Sequence, residues 1–283
     1  RDSLLSRQKI VDAHKKGLLA DSALIAHGRG EAFDYLLGER TIPPAKRAAR
    51  ESVNRLAAAY RPVISLNGNS TVLAGRDAVK LAALTGCKIE INIFYRTDSR
   101  MNLLSQTLNL MKNEVASDSP SDGISPEAWS QMVADVEILG TSPDAHIPGL
   151  EGPRAKCCSQ GIHAADTVLV PLEDGDRCEA LIQMGKQVLV VDLNPLSRTA
   201  RTATVTIVDD ISRAFREMIK LALEKPSAPD SKWDNRTILV DAIDTMGQAS
   251  STLFRQDGES NSVFSNSRTL AATASPTSDV VDE

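Results

Sequence analysis

Residues 165–211 read ADTVLVPLEDGDRCEALIQMGKQVLVVDLNPLSRTARTATVTIVDDI, and the fold class turns on this stretch. Thr167 to Val170 and Gln187 to Val191 are short runs rich in β-branched residues, each closed by polar and turn residues. Between them, Cys178 to Met184 has helical spacing, and Gly185 is placed to stop a helix. Strand, helix and strand at this length predict a right-handed parallel crossover.

Both strands empty into loops dense in functional groups. The first leads to Glu173, Asp174, Gly175, Asp176 and Arg177, the second to Asp192, Leu193, Asn194, Ser197, Arg198 and then Arg201. In open α/β sheets, ligands bind beyond the carboxyl ends of the strands. An acidic residue at a strand end can accept from ribose hydroxyls, and guanidinium groups suit phosphates. The carboxylates of Glu173, Asp174 and Asp176 are candidate Mg²⁺ ligands, direct or through water. Taken singly, each is more simply a solvated loop charge; together they point to a nucleotide-phosphate site.

Outward from this unit, strands and helices keep alternating. Ser3 to Lys16 reads as an amphipathic helix carrying Arg7. His27, Gly28, Arg29 and Gly30 read as a tight turn before a helix starting near Glu31, which would aim Arg29 and free N–H groups at an anion. Helices are expected from Thr41 to about Tyr60, from Arg76 to Thr85, and from Ser99 to about Asn113. Pro62 to Leu66 reads as a buried strand ending in the turn residues Asn67, Gly68 and Asn69, and Lys88 to Tyr95 as a strand ending at Arg96. By position, Asn67, Asn69 and Arg96 join the site candidates.

The Ser/Asp/Pro-rich stretch 115–131 reads as a loop with one short helix near Trp129. Val136 to Leu139 is expected as a strand, and residues 147–156 as an exposed connector carrying Arg154 and Lys156. Thr204 to Val208 should be a strand, followed by a helix from Ile211 that Asp210 can cap. The expected organisation is one Rossmann-like α/β domain over 1–228, its mostly parallel sheet flanked by helices. A terminal helix over 229–246 and a low-complexity, disordered tail over 247–283 complete it.

The 283 residues carry 32 Lys plus Arg against 37 Asp plus Glu, a formal charge of −5. That mild acidity argues against a nucleic-acid partner. No apolar run has bilayer length and no signal peptide opens the chain, so no membrane partner is expected either. Four cysteines (Cys87, Cys157, Cys158, Cys178) match neither a zinc spacing nor a disulfide framework, which predicts reduced thiols in a cytoplasm. Neither GxGxxG after a strand nor GxxxxGK[ST] occurs. That disfavours an NAD(P)-dependent oxidoreductase, and a non-catalytic nucleotide- or sugar-phosphate-binding protein is the other alternative weighed.

Several strings go beyond these patterns: AHGRGEAFDYLLGERTIPPA (26–45), PVISLNGN (62–69), INIFYRT (91–97), IPGLE (147–151), VPLEDGDRCEALIQMGK (170–186), DLNPLSRTAR (192–201) and VTIVDDI (205–211). In this order, from about Arg7 to Leu223, the chain resembles the archaeal phosphopantothenate synthetase family, the 4-phosphopantoate–β-alanine ligases of coenzyme A synthesis. The resemblance implies a Rossmann-like homodimer that forms an amide with ATP, releasing AMP and diphosphate. It implies ATP contacts at Arg7, Arg29, Asp192, Leu193, Asn194, Arg198, Thr199, Asp210 and Ile211. For catalysis we consider Arg29, Arg198, Glu173 and Asp176; for the phosphopantoate substrate, Asn67, Asn69, Arg96, Arg177 and Arg201. Glu173, Asp174, Asp176 and His27 remain alternatives as the base that deprotonates β-alanine, and Mg²⁺ is expected to accompany the ATP.

Overall fold

The computed structural model describes residues 2–119 and 123–248. In chain order the elements are α1 (Asp2–Lys15), α2 (Asp21–Leu37), α3 (Pro43–Ala58), β1 (Pro62–Leu66), α4 (Gly68–Thr85), β2 (Lys88–Ile91), α5 (Asp98–Ala116), α6 (Pro126–Ala134), β3 (Ile138–Leu139), β4 (Ala145–His146), β5 (Lys156–Cys157), β6 (Thr167–Pro171), α7 (Gly175–Gln183), β7 (Gln187–Val191), α8 (Arg198–Thr202), β8 (Val205–Ile207) and α9 (Ile211–Leu223). Residues 235–248 are also helical.

Six strands form one sheet in the order β3-β2-β1-β6-β7-β8, and every pairing in it is parallel. Counting only these strands, the order is 3-2-1-4-5-6, the doubly wound arrangement. The chain winds outward from β1 in one direction and from β6 in the other, so the loops after these two adjacent strands part and leave a crevice. β1 and β6 are buried along their whole length, as a sheet covered on both faces requires. The strand–helix–strand unit of residues 165–211 is the β6-α7-β7 crossover, in register from Thr167↔Gln187 to Pro171↔Val191. A separate antiparallel ribbon pairs β4 with β5.

Helix α9 buries Ile211, Ala214, Phe215, Met218 and Leu221, the i, i+3, i+4, i+7 stripe of a helix lying on a sheet. The 235–248 helix buries Ile238, Leu239 and Ala242 in the same core. Asn235 accepts from the Thr206 backbone at 2.7 Å, fixing this helix to β8. Among the described residues, no helix is long and apolar enough to cross a membrane.

Several local expectations change. The turn at residues 27–30 is absent: α2 runs unbroken from Asp21 and ends where Gly38 turns left-handed, φ 72°. Two glycines inside a helix cost about 1 kcal/mol each relative to alanine, and a Cβ at Gly30 would meet only an ordinary contact, Leu193 at 3.6 Å. Arg29 therefore reaches its surroundings from mid-helix and not from a helix start. The helix expected from Arg76 to Thr85 is present, but α4 has an additional first segment from Gly68, capped by the Asn67–Ser70 box and separated by a kink at Ala74 (φ −135°, ψ 15°). Strand β2 stops at Ile91. The connector 147–156 is not wholly exposed, since Arg154 is buried. Trp129 does sit in a short helix, its indole N–H donating to the Val115 carbonyl at 2.8 Å. From residue 249 on, the tail expectation lies outside the described residues, and residues 247 and 248 are helical.

Gly140 closes the loop after β3 with φ 119°, and a Cβ there would stand 2.4 Å from the Ile91 carbonyl oxygen. Gly149 also has positive φ, 75°, but faces open space. Gly140→Ala is expected to cost about 3 kcal/mol and Gly149→Ala about 1 kcal/mol. Urea unfolding of both variants checks the order, and equal losses would contradict it.

Candidate functional site

A cavity of about 1140 Å³ opens at the carboxyl ends of β1, β6, β7 and β8, on the side of the sheet where the doubly wound topology puts ligands. Its floor is set at the switch point. Asn67, just past β1, accepts from Ser70 N at 2.9 Å and donates through Nδ2 to the Leu172 carbonyl at 2.7 Å. This ties the exit of β1 to the exit of β6. Leu172 itself has φ 58°, a conformation that costs a branched residue of order 1 kcal/mol or more and clusters at functional sites. The Asn67 bond and its own N–H to the Val191 carbonyl (3.2 Å) hold it there.

Glu173 follows, its carboxylate almost wholly buried and ion-paired with both Arg154 and Arg177. Arg177 also donates to Ser65 Oγ at 3.1 Å, under β1. Thr199 Oγ1 donates to the Glu173 carbonyl at 2.8 Å, joining this loop to α8. Asp174 pairs with Arg154 from the exposed side. The three carboxylates thus do not fit a magnesium cage: Glu173 and Asp174 are held by Arg154 and Arg177, and Asp176 is paired with Arg198. Among the described residues, no group of three or more His, Cys, Asp or Glu converges as a metal site.

After β7, Asp192 folds its loop around itself. Oδ1 accepts from Asn194 N at 2.9 Å and Oδ2 from the Ser197 hydroxyl, while Asn194 Oδ1 accepts from Leu196 N at 3.0 Å. Ser197 then caps α8. Burial pushes the Asp192 carboxyl above its usual range, against the pull of Ser197, Asn194 and the Arg29 charge. After β8, Asp209 is buried and likewise raised by desolvation, accepting from Thr41 Oγ1 at 2.6 Å and Arg213 Nε at 2.8 Å. Arg213 continues to Asp34 on α2. Asp210 caps α9 through Ser212 N and Arg213 N.

The structure brings most of the sequence-derived candidates together. Arg29, Asn67, Asn69, Glu173, Asp192, Leu193, Asn194, Arg198, Thr199, Asp210 and Ile211 all line the cavity. Five do not. Arg7 is exposed beside it, bonded to Glu31 at 2.9 Å and to Tyr35 Oη at 2.8 Å. Asp176 faces Arg198 on the outer surface. Arg96 donates to the Gly140 carbonyl, Arg177 lies beneath the floor, and Arg201 turns back along α8 to the Ser197 carbonyl. Pattern reading missed Arg100, Arg154, Arg213 and Arg216, which do line the cavity. Arg213, one turn into a capped helix, carried a readable signal; Arg154 sits in an irregular connector and carried none.

Residues 44–253 match the model of the phosphopantothenate/pantothenate synthetase family. The chain belongs to this family. The 4-phosphopantoate–β-alanine ligase of Thermococcus kodakarensis is 49% identical over 78% of this chain and 77% of its own length. That of Methanosarcina mazei is 42% identical over 91% of this chain and 95% of its own length, and that of Methanospirillum hungatei is 39% identical over 78% and 82%. The resemblance seen in the sequence motifs is therefore real, and the family match runs past Leu223 to include the 235–248 helix.

Arg198 lies across the first residue of α7: a Cβ on Gly175 would stand 2.7 to 2.9 Å from its Cδ, Cγ and Cβ. Alanine is the better helix former by about 1 kcal/mol, yet the overlap is with the stem of Arg198 and not its mobile end. Gly175→Ala is expected to destabilise by about 1–2 kcal/mol, and the double variant with Arg198→Ala to recover only part of the loss in urea unfolding, because the Cβ of residue 198, 2.9 Å away, remains.

Asp192 offers a pH test. A carboxyl raised in the folded state binds more protons folded than unfolded, so its contribution favours folding least once pH has risen through the raised range, upward from about 4. Asp192→Asn should therefore gain stability relative to the parent as pH goes from about 4 to 7, read from unfolding midpoints.

Proposed function

We propose that this chain is an ATP-dependent ligase that joins 4-phosphopantoate and β-alanine into 4-phosphopantothenate, the activity named for its relatives. The observation that carries the reading is the convergence of Arg29, Asp192 and Arg198 on one cavity at the switch point of a doubly wound sheet. A cytoplasmic homodimer is part of the same proposal.

A carboxylate is a poor acyl donor because its charge repels nucleophiles. Its oxygen attacks the α-phosphorus of ATP, diphosphate leaves, and the product is an acyl adenylate. The amine of β-alanine then attacks the acyl carbon and AMP departs. The protein's part is chiefly electrostatic, with cations aimed at phosphate oxygens as charge moves. We assign the triphosphate to Arg29, on a helix beside Asp192, and to Arg198, which would exchange its present partners Asp176 and Glu179 for phosphate oxygens. Each oxygen of Asp192 already accepts one bond within its loop, and the remaining lone pairs suit ribose hydroxyls. Leu193, Asn194, Thr199, Asp210 and Ile211 border the same region. Arg96, Arg177 and Arg201 point elsewhere, so Arg216, exposed and lining the cavity, is the better candidate for the substrate's own phosphate.

The protein incubated with ATP, 4-phosphopantoate and β-alanine should yield AMP and phosphopantothenate in equal amounts. Arg29→Ala should lower turnover by roughly two orders of magnitude with an unchanged unfolding midpoint. Binding of ATP without AMP release would favour the non-catalytic alternative.

A further inference from the structure

Three residues that line the cavity carry a buried polar atom without a hydrogen-bond partner: Asn69 (Oδ1), His27 (Nε2) and Arg154 (Nε), the last on a guanidinium whose other nitrogens are ion-paired with Glu173 and Asp174. Buried polar atoms are nearly always satisfied, and those that are not call for a reason. Asn69 is 7% exposed, and its amide orientation is set, because Nδ2 donates to the Ala23 carbonyl at 2.9 Å. That leaves the oxygen as the unused end. Ala23 stands one turn before His27 on α2, so residue 27 lies on the same helix face, directly along from the Asn69 contact. An amide oxygen from the start of α4 and, in the Nδ1–H tautomer, an acceptor nitrogen from α2 are thus both left without donors among the residues that line the cavity. Acceptors without donors suit a ligand that brings N–H groups.

The other candidate bases are engaged. Glu173 is paired with two guanidinium groups, Asp174 with Arg154 and Asp176 with Arg198. Asn67 is committed to the α4 cap and to Leu172.

Resting on the ligase reading, we propose that Asn69 Oδ1 and His27 Nε2 form the subsite for the amine of the incoming amino acid. Asn69 Oδ1 accepts one N–H of the free amine and so turns the nitrogen lone pair toward the acyl carbon. As the C–N bond forms and the C–O bond to AMP breaks, the electron pair leaves on the AMP oxygen. The nitrogen then holds one proton more than an amide can keep, and that proton passes to His27 Nε2.

The two half-reactions separate this role from nucleotide binding and from folding. Phosphopantoate-dependent exchange of labelled diphosphate into ATP reports adenylate formation alone. In Asn69→Ala the KM for β-alanine should rise at least about tenfold; in His27→Gln the rate of amide formation should fall about 100-fold, the lower end of what a general base contributes. Exchange should stay within about threefold of wild type in both. Unchanged amide formation in both variants, or equal loss of exchange and amide formation in variants with normal unfolding midpoints, would overturn the subsite. Absence of exchange in the wild-type protein would instead sink the ligase reading on which it rests.

Discussion

Glu173 is a carboxylate removed from water, and it is tolerable there only because Arg154 and Arg177 both reach it. Burying an unpaired charge is prohibitive, and removing one partner of a buried pair costs about 3–5 kcal/mol. The three residues come from the connector after β4, the exit of β6 and the first turn of α7. Their mutual need for charge compensation therefore sets where three irregular segments stand. The floor of the cavity is the consequence. Asn67 and Leu172 join it from the β1 side, Thr199 from α8.

That constraint also sorts the polar residues of the site into two groups. Glu173, Arg177, Arg154, Asn67 and Asp209 hold the loops through ion pairs and hydrogen bonds, although Arg154 Nε and Arg177 Nε keep no partner. Arg29, Arg216, His27 and the oxygen of Asn69 line the cavity with capacity left over. A residue type suited to catalysis is no guide by itself: Glu173 and Arg177 have suitable groups at a suitable strand end, and burial pairs them with each other.

The legible part of the fold was the part governed by short-range pattern. The β6-α7-β7 crossover, the parallel sheet, α3, α5 and α9 follow from periodicity and from turn residues. Where a longer-range contact outweighs local propensity, the pattern misleads. Gly28 and Gly30 look like a turn, but both lie inside α2, which runs unbroken from Asp21 to Leu37. Asn67, Gly68 and Asn69 look like a turn after a strand and are a cap, because Ser70 completes the box.

The amino-acid sequence alone determined the alternation of strands and helices, the placing of Asp192 and Arg198 at a strand's end, and the family, since the long motifs need no coordinates to be read. Tertiary structure alone decided which charges are free. Whether Arg177 meets a ligand or Glu173, whether Arg154 is a solvated connector residue or a wall of the site, and whether Asn69 keeps an unused oxygen all depend on groups distant in sequence. Hydrogen bonds and ion pairs saturate, and the partner that saturates each one is chosen by the packing of the whole sheet.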